Sequence, residues 1–268
     1  MKGILMDIFV PSKDVQWVDY NIGGHQVKAP HFVAEKHFRE QWERERFASM
    51  EINLRPGDCL FDIGSEQGLM SAIYSRFVGG GNNMVLAEPN PINWPHIKQS
   101  WDVMGIATPR ATFCGLLGPK SESPIMSAID YSTGHKDGWP YPAYSDYLLD
   151  ATSFRYIHEH AHSTQTISID DFVFSRGEVV GRMPEEMRGI VPNALTIDVE
   201  GYELQVLRGA VETLKQYRPL VWVSIHPDLM EKFTGENVAL VHALMNELGY
   251  SEDHLATDHE EHWLCWPR

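Results

Sequence analysis

The sequence predicts an α/β fold in which a mostly parallel β-sheet is covered by helices on both faces. The 268 residues include 43% hydrophobic residues at a mean hydropathy of −0.29, which is typical of one globular domain with a substantial core. Short apolar segments of strand length alternate with segments whose apolar residues recur every three or four positions. Strands that alternate with helices pair in parallel, which predicts an α/β fold. The length and the composition predict that the whole chain, residues 1–268, forms a single domain of this kind.

The first elements follow from this alternation. Residues 1–52 are expected to form a preamble of short strands followed by a helix over residues 34–52. The apolar segment 58–64 then predicts a strand that ends in a glycine turn. Apolar residues at positions 69, 73 and 77 predict the helix behind this turn, which stops at the glycines of residues 79–81.

A second unit repeats the pattern and is then interrupted. It comprises a predicted strand at 84–87, a helix over 94–104 and a third strand at 111–117. Residues 119–163 are rich in Ser, Pro, Gly, Tyr and His and are too long for an ordinary connection. They are therefore predicted to form a lid or a substrate-binding insertion.

The alternation resumes after this insertion. The predicted elements are a short helix at 169–174, a fourth strand at 194–198, a helix over 202–217, a fifth strand at 220–225, a helix over 238–248 and a terminal hairpin in the last 18 residues. In a sheet of this kind, ligands bind at the carboxyl ends of the strands.

Composition and charge exclude several classes of function. A net charge of −15 disfavours a nucleic-acid substrate, and the arginines within residues 39–46 alternate with glutamates as on a solvated helix face. No apolar segment has the length of a membrane-spanning helix or a signal peptide, so we expect no membrane insertion and a cytoplasmic location. Cys59, Cys114 and Cys265 are widely spaced and are expected to be reduced core thiols.

The segment from Asp62 to Gly68 is the predicted cofactor loop. Gly64 and Gly68 allow the backbone to turn sharply and to approach a ligand closely. The G-x-x-x-G spacing differs from the G-x-G-x-x-G of dinucleotide sites, and Asp62 would repel a pyrophosphate but suits a cation. S-adenosylmethionine, which carries a sulfonium and an ammonium group and no phosphate, fits this pattern.

Glu88 follows the second predicted strand, 20 residues beyond Gly68. A carboxylate at this place can accept hydrogen bonds from both hydroxyls of a ribose. The alternative interpretation is a solvated carboxylate before a proline turn.

Several segments together resemble the FkbM family of methyltransferases. They occur in the family's order between residues 43 and 228: Asp62-Ile-Gly-Ser-Glu-Gln-Gly68, Ala87-Glu-Pro-Asn-Pro91, Thr166-Ile-Ser-Ile-Asp-Asp-Phe172, Thr196-Ile-Asp-Val-Glu-Gly-Tyr-Glu203 and Val206-Leu-Arg-Gly-Ala210. The resemblance implies a Rossmann-like class I methyltransferase fold with a mostly parallel seven-stranded sheet, S-adenosylmethionine as the methyl donor and a hydroxyl acceptor on a sugar, glycolipid or polyketide-type product.

The same resemblance bears on single residues. It implies that Ser65 contributes to the cofactor loop and that Glu43 lies near the amino acid end of the cofactor. Family members often carry small residues followed by Asn where this chain has Ser65 and Glu66. The role of Glu66 therefore stays open between a contact with the cofactor's ammonium group and exposure to solvent.

Three residues at strand ends are the candidates for catalysis. Asp198 and Glu200 end the fourth predicted strand, and His226 ends the fifth. Transfer to a hydroxyl requires alignment and a base, and the ordinary pKa of histidine allows a neutral imidazole, so His226 is the predicted base. The alternatives are that Asp198 or Glu200 caps the helix near Tyr202 and that His226 closes a turn, while Glu203 serves the helix dipole.

The oxygen and nitrogen donors of Asp198, Glu200 and His226 also suit a divalent metal ion. The histidines of segments 158–162 and 259–262 resemble metal ligands but are interpreted as surface residues. The aromatic segment 139–144 is expected either to stack against a sugar or to pack within the lid.

The predicted fold class also occurs in proteins with two other kinds of function. A nicotinamide-dependent oxidoreductase is disfavoured because the G-x-G-x-x-G motif is absent and Asp62 is present. A binding protein that retains the fold without catalysis is the remaining alternative.

Overall fold

The computed structural model describes residues 9–34, 41–121, 134–149, 165–258 and 260–268. The strands in these ranges are β1 (Phe9–Pro11), β2 (Trp17–Ile22), β3 (His25–Pro30), β4 (Leu60–Ile63), β5 (Met84–Ala87), β6 (Ala111–Phe113), β7 (Leu116–Leu117), β8 (His135–Lys136), β9 (Trp139–Pro140), β10 (Tyr147–Leu149), β11 (Thr166–Ile167), β12 (Ala194–Ile197), β13 (Leu220–Ile225), β14 (Tyr250–Thr257) and β15 (Glu261–Pro267).

The α-helices in the same ranges are α1 (His31–Ala34), α2 (Arg44–Asn53), α3 (Leu69–Phe77), α4 (Asn93–Met104), α5 (Ile169–Val173), α6 (Glu178–Arg182), α7 (Glu203–Arg208), α8 (Val211–Tyr217), α9 (Pro227–Thr234) and α10 (Val238–Glu247). Short 3₁₀ helices lie at Ser12–Asp14, Gly81–Asn83, Tyr141–Tyr144 and Glu185–Met187.

The central sheet has seven strands in the order β14-β15-β13-β12-β4-β5-β6. Five of them, β13 to β6, are parallel, whereas β15 pairs antiparallel with both β13 and β14. The chain starts in the middle of the sheet, builds outwards to β6 and then returns to add β12 beside β4. The strand order therefore reverses between β4 and β12, which is the switch point where such sheets bind ligands.

Helices cover both faces of this sheet. Every residue of β4, β5 and β12 is buried, as expected for parallel strands with two covered faces. One core cluster joins the sheet to α5, α6, α7, α8 and α10, and the other joins it to α2, α3, α4 and the hairpin of β2 and β3. The predicted fold class, a mostly parallel seven-stranded sheet with helices on both faces, is confirmed.

Two predicted elements are divided in the structure. The third strand, predicted over 111–117, is split because Leu116 leaves the main sheet and its N–H donates to the carbonyl of Gln165 (2.8 Å), so that β7 pairs with β11. The helix predicted over 202–217 is split into α7 and α8. Helix α8 begins as a separate helix because the Asp170 carboxylate accepts the N–H groups of Glu212 (2.9 Å) and Thr213 (2.7 Å) in its first turn.

Parts of the preamble and of the insertion are described. The β2–β3 hairpin packs Ile22 and Val27 into the core beside α3 and α4. The helix expected over 34–52 is wrong over residues 41–43, which form a turn with Glu43 at a positive φ of +63°, so that α2 begins only at Arg44. Within the insertion, β8 and β9 form a small hairpin and β10 pairs with β1. Most of the predicted lid lies outside the described residues.

The three cysteines lie in the core. Cys59, Cys114 and Cys265 are buried free thiols, as predicted. In the ranges that the structure covers, no helix has both the length and the apolar character needed to cross a membrane.

Candidate functional site

The turn after β4 requires glycine at position 64. Gly64 has φ of +92°, and a Cβ atom at this position would lie 1.7 Å from the carbonyl oxygen of Asp198. Its N–H and that of Ser65 donate to the carbonyl of Ala87 at 2.9 and 3.1 Å. The missing side chain thus lets the turn contact the ends of both neighbouring strands, β12 and β5.

The loop ends at Gly68, which also has a positive φ of +74° and precedes α3. A Cβ atom there would lie 2.8 Å from Cγ2 of Ile97 in α4. Gln67 is buried in the loop, and its Oε1 has no hydrogen-bond partner among the residues described. A buried acceptor of this kind calls for a ligand donor or a water molecule, so the loop fits a polar cofactor.

Asp62 is buried within β4 and does not lie at the tip of the loop. Its carboxylate accepts a short hydrogen bond from Oγ of Ser71 in the first turns of α3. Burial raises the pKa of Asp62 to about 6, although Ser71 and the Arg46 guanidinium oppose this shift. The carboxylate therefore ties the strand to the helix that follows the cofactor loop.

Glu88 is buried at the end of β5, so the alternative interpretation as a solvated carboxylate was wrong. Its oxygens accept the N–H groups of Glu66 (2.9 Å) and Asn90 (2.8 Å) and the side-chain amide of Asn93 (3.2 Å). Burial nevertheless raises the pKa of Glu88 to about 8. The carboxylate is held firmly beside the glycine turn, where the sequence predicted a contact with ribose.

Glu66, whose role the sequence left open between a cofactor contact and exposure to solvent, lies in the turn after β4. The residue has a positive φ of +46°, and its N–H closes the loop onto Glu88. Burial, and then the charges of Asp198 and Glu200, raise the pKa of the Glu66 side chain to about 7. Glu66 therefore belongs to an acidic group at the switch point and is not a freely solvated residue.

Arg46 is a site residue that the sequence did not indicate. It is only 2% exposed, so its assignment to a solvated helix face was wrong. Its guanidinium donates to Glu43 (3.0 Å), to Ser224 (2.7 Å) and, through a short bond, to Thr196. It also lies 3.5 Å from the carboxylate of Asp198.

Glu43 is the buried partner of this arginine. It precedes α2 and faces Arg46 from one turn earlier in the chain. The i, i+3 spacing of Glu43 and Arg46 could have indicated this ion pair in the sequence, but the same spacing is equally compatible with an exposed pair on a helix surface. Arg46 places a positive charge beneath the carboxyl ends of β12 and β13.

Asp198 and Glu200 lie directly after β12, as predicted. The Asp198 N–H donates to the carbonyl of Ile63 (2.9 Å), and the two side chains are 31% and 32% exposed. Burial raises the pKa of Glu200 to about 7. The residue that caps α7 is Tyr202, and the N–H of Gly201 donates to Glu203 (2.9 Å), so neither Asp198 nor Glu200 is the residue that caps this helix.

His226 ends β13 between carboxylates on both sides of its ring. Nδ1 lies 2.9 Å from the buried Glu203, and Nε2 forms a short ion pair with Glu260. Nε2 also lies 3.5 Å from Glu200 and 3.9 Å from Asp198. Although burial alone would lower it, the hydrogen bonds to Glu203 and Glu260 raise the pKa of His226 to about 12, which differs from the neutral imidazole expected from the sequence.

His262 was predicted to be a surface histidine, and this prediction was wrong. It is 1% exposed because β15 lies inside the sheet beside β13, and Glu260, just before this strand, is 4% exposed. His262 Nδ1 lies 3.0 Å from Oγ of Ser224, and Nε2 lies 3.1 Å from Asp258. His262 and Leu264 lie on the same face of β15, and the apolar Leu264 was the available signal that this face is buried.

Two further predictions concern the remaining histidines and the aromatic segment 139–144. The histidines of segment 158–162 and His259 are outside the described residues. In the aromatic segment, Trp139 is buried 5.8 Å from Trp101, so it packs in the core, whereas Tyr141 is 61% exposed.

Comparison with known proteins gives a family and several relatives. The family described as methyltransferase FkbM domain matches residues 62–252. The chain is 28% identical to hexuronic acid methyltransferase AglP of Haloferax volcanii over 169 residues, which are 63% of this chain and 56% of that protein.

Solved structures are similar at lower identity. Methyltransferase FkbM of Methylobacillus flagellatus KT is 15% identical with a TM-score of 0.46, over 80% of this chain and 45% of that one. TYW2 of M. jannaschii in complex with AdoMet is 9% identical with a TM-score of 0.45, over 94% of this chain and 85% of that one. The chain thus spans about half the length of the AglP and M. flagellatus proteins.

Proposed function

Because the chain belongs to the FkbM family of methyltransferases, we propose that it transfers the methyl group of S-adenosylmethionine to a hydroxyl group of a sugar, a glycan or a related small molecule. The observation that carries this proposal is the acidic group at the switch point. Burial and the charges of Asp198 and Glu200 raise the pKa of Glu66 to about 7, so these carboxylates repel one another. A cationic ligand relieves that repulsion, and S-adenosylmethionine is such a cation.

The cofactor-binding residues in this proposal surround the glycine turn. Gly64, Ser65 and Gly68 form the backbone cradle, and the unpartnered Oε1 of Gln67 supplies an acceptor. Glu88 accepts a hydrogen bond from a ribose hydroxyl, since three N–H donors already orient it and a carboxylate has about four acceptor positions, of which one remains.

Asp62 and Glu43 are the remaining residues of the proposed cofactor site, and both are buried. Each is a buried carboxylate held by one strong partner, Ser71 and Arg46 respectively. Their negative charge favours a cation in the cleft, and their fixed positions keep β4 and α2 in place around it.

The bound cofactor supplies a methyl group on an activated sulfonium, so the protein mainly has to align the acceptor and to remove its proton. Asp198, Glu200 and His226 are the residues we propose for this. Both ring nitrogens of His226 already face carboxylates, so no lone pair of the imidazole is free to accept a proton in this arrangement. We therefore assign proton acceptance to Glu200, which is one-third exposed, and orientation of the carboxylates to His226.

A sugar is the acceptor class that we propose. The name of the Haloferax relative states that it methylates a hexuronic acid, and the family resemblance implies a hydroxyl acceptor. The exposed ring of Tyr141 offers an apolar face of the kind that stacks on sugars.

The first test is binding of the cofactor. Isothermal titration of the full chain with S-adenosylmethionine is expected to give saturable binding, tighter than that of the neutral thioether S-adenosylhomocysteine because of the acidic cleft. A protein that binds NAD and not S-adenosylmethionine would contradict the proposal.

Above pH 8, where Glu88 is ionised, Glu88→Gln is expected to weaken binding of S-adenosylmethionine by at least about tenfold, because one charged acceptor is lost. The affinity of the unmodified protein should also rise as pH increases through about 8, where Glu88 ionises, and this rise should be absent in the variant. Comparing the two proteins removes the contribution of the ligand's own amino group. The control is Glu51→Gln, which changes an exposed glutamate of α2.

Glu200→Gln is expected to lower the rate of methyl transfer by about 10²- to 10⁴-fold, with little change in cofactor affinity, because the proton acceptor is removed. Transfer is measured by mass spectrometry as the gain of one methyl group in a panel of sugar acceptors. Glu247→Gln, at an exposed position of α10, is the matched control. An unchanged rate in Glu200→Gln, together with a large loss in His226→Ala, would return the role of base to His226. Cofactor binding without transfer to any acceptor would indicate a binding protein.

A further inference from the structure

A group of metal-ligand type lies at the ends of three strands that are distant in sequence. Asp198 follows β12, His226 follows β13, and Glu260 lies in the turn between β14 and β15. One ligand atom of each residue lies within 4.8 Å of those of the other two. Ligands of a single ion at about 2.1 Å are at most about 4.2 Å apart, so only a small rotation of these side chains is required.

The imidazole of His226 is oriented as in metal sites. Its Nδ1 faces Oε1 of the completely buried Glu203 at 2.9 Å, and the same oxygen accepts the N–H of Gly201 at 2.9 Å. A carboxylate on one ring nitrogen orients the imidazole, so that the other nitrogen can bind an ion in place of its proton, which is the usual arrangement behind a metal-binding histidine. Here the other nitrogen, Nε2, faces Asp198, Glu200 and Glu260.

The negative charge of this group is only partly balanced by the positive charges beside it in the described residues. Four carboxylates surround one imidazole, and Oε2 of Glu203 has no hydrogen-bond partner in the part of the chain that the structure describes. The nearby guanidinium of Arg46 is shared with Glu43, Thr196 and Ser224 and lies 3.5 Å from Asp198.

We propose that Asp198, His226 and Glu260 bind one divalent metal ion, with Glu200 at its open side. One imidazole nitrogen with carboxylate oxygens suits Mn²⁺ or Zn²⁺ better than Mg²⁺ or Ca²⁺, which prefer oxygen ligands alone. A use of this ion in transfer rests on the proposed function: beside Glu200 it lowers the pKa of the acceptor hydroxyl. Binding of the ion itself does not depend on that function.

The test is a titration of the full chain with Mn²⁺ alone, after treatment with a chelator that is then removed. We expect one equivalent to bind, measured by calorimetry and by loss of the free Mn²⁺ signal in electron paramagnetic resonance. His226→Gln and Glu260→Gln should each weaken the affinity at least about tenfold, since each removes one ligand. His254→Gln and Glu261→Gln, which change residues outside the group, should bind as the unmodified protein does.

Circular dichroism and S-adenosylmethionine affinity show whether each variant is folded, so loss of metal binding by a folded variant supports the site. Absence of saturable Mn²⁺ and Zn²⁺ binding to the unmodified protein would overturn the proposal. Loss of binding in His262→Gln but not in His226→Gln would also overturn it, because His262 belongs to the neighbouring group with Glu43 and Glu260. If the unmodified protein binds S-adenosylmethionine but not the metal ion, only the metal site is refuted. If it binds the metal ion but not S-adenosylmethionine, only the cofactor assignment is refuted.

Discussion

Gly64→Ala is expected to prevent folding or to lower the free energy of unfolding by more than about 4 kcal/mol, which is exceptional for a single substitution. The new Cβ atom would lie 1.7 Å from the carbonyl oxygen of Asp198, so the turn after β4 and the end of β12 would have to separate. The positive φ of +92° adds backbone strain to this clash. Urea denaturation followed by circular dichroism measures the loss.

Gly57→Ala is the matched control for this prediction. Gly57 has a similar φ of +98°, but no atom of the described residues lies within 4 Å of its Cβ position, so the variant carries the strain without the clash. We expect it to cost about 1 to 3 kcal/mol. Equal losses in the two variants would mean that the close contact of Gly64 with Asp198 is not what requires glycine.

Arg46→Met is expected to lower the free energy of unfolding by about 3 to 5 kcal/mol, the usual effect of removing one partner from a buried ion pair. The substitution keeps an unbranched apolar side chain but leaves the buried Glu43 without its cation and Asp198 without a nearby positive charge. It also removes the donors to Thr196 and Ser224, which join β12 to β13 at the site. Thermal and urea denaturation at pH 7 measure the effect.

Arg44→Met, on the same helix but at an exposed position, is the control for Arg46→Met and should change stability by less than about 0.5 kcal/mol. A similar small effect at both positions would contradict the structural role of Arg46. Restoration of stability in a double variant that also carries Glu43→Gln would show that the unpaired carboxylate causes the loss.

Much of the fold could be predicted from local patterns. The strand at 84–87 and the helix at 69–77 follow the expected bounds, since apolar periodicity reports which face of an element is buried. The two split elements were missed for a physical reason. Their breaks depend on partners distant in sequence: Gln165 for the third strand, and Asp170 for the helix after β12.

The glycine turn of the predicted cofactor loop was visible in the sequence because its requirements are local. A turn that needs positive φ selects glycine at positions 64 and 68, and the acidic residue at 88 follows directly on a strand. Burial of the Glu88 carboxylate, in contrast, depends on donors from the loop and from Asn90 and Asn93. Its raised pKa was therefore not open to prediction from sequence.

The sequence by itself determined the order of strands and helices, the glycine turn, the acidic strand ends and the family. Only the tertiary structure decided which charges meet. Arg46 reaches Thr196 and Ser224 across 150 and 178 residues of chain, and Glu260 joins His226 because β15 inserts beside β13. A buried charge is stable only beside compensating partners, and those partners come from elements that no local pattern connects.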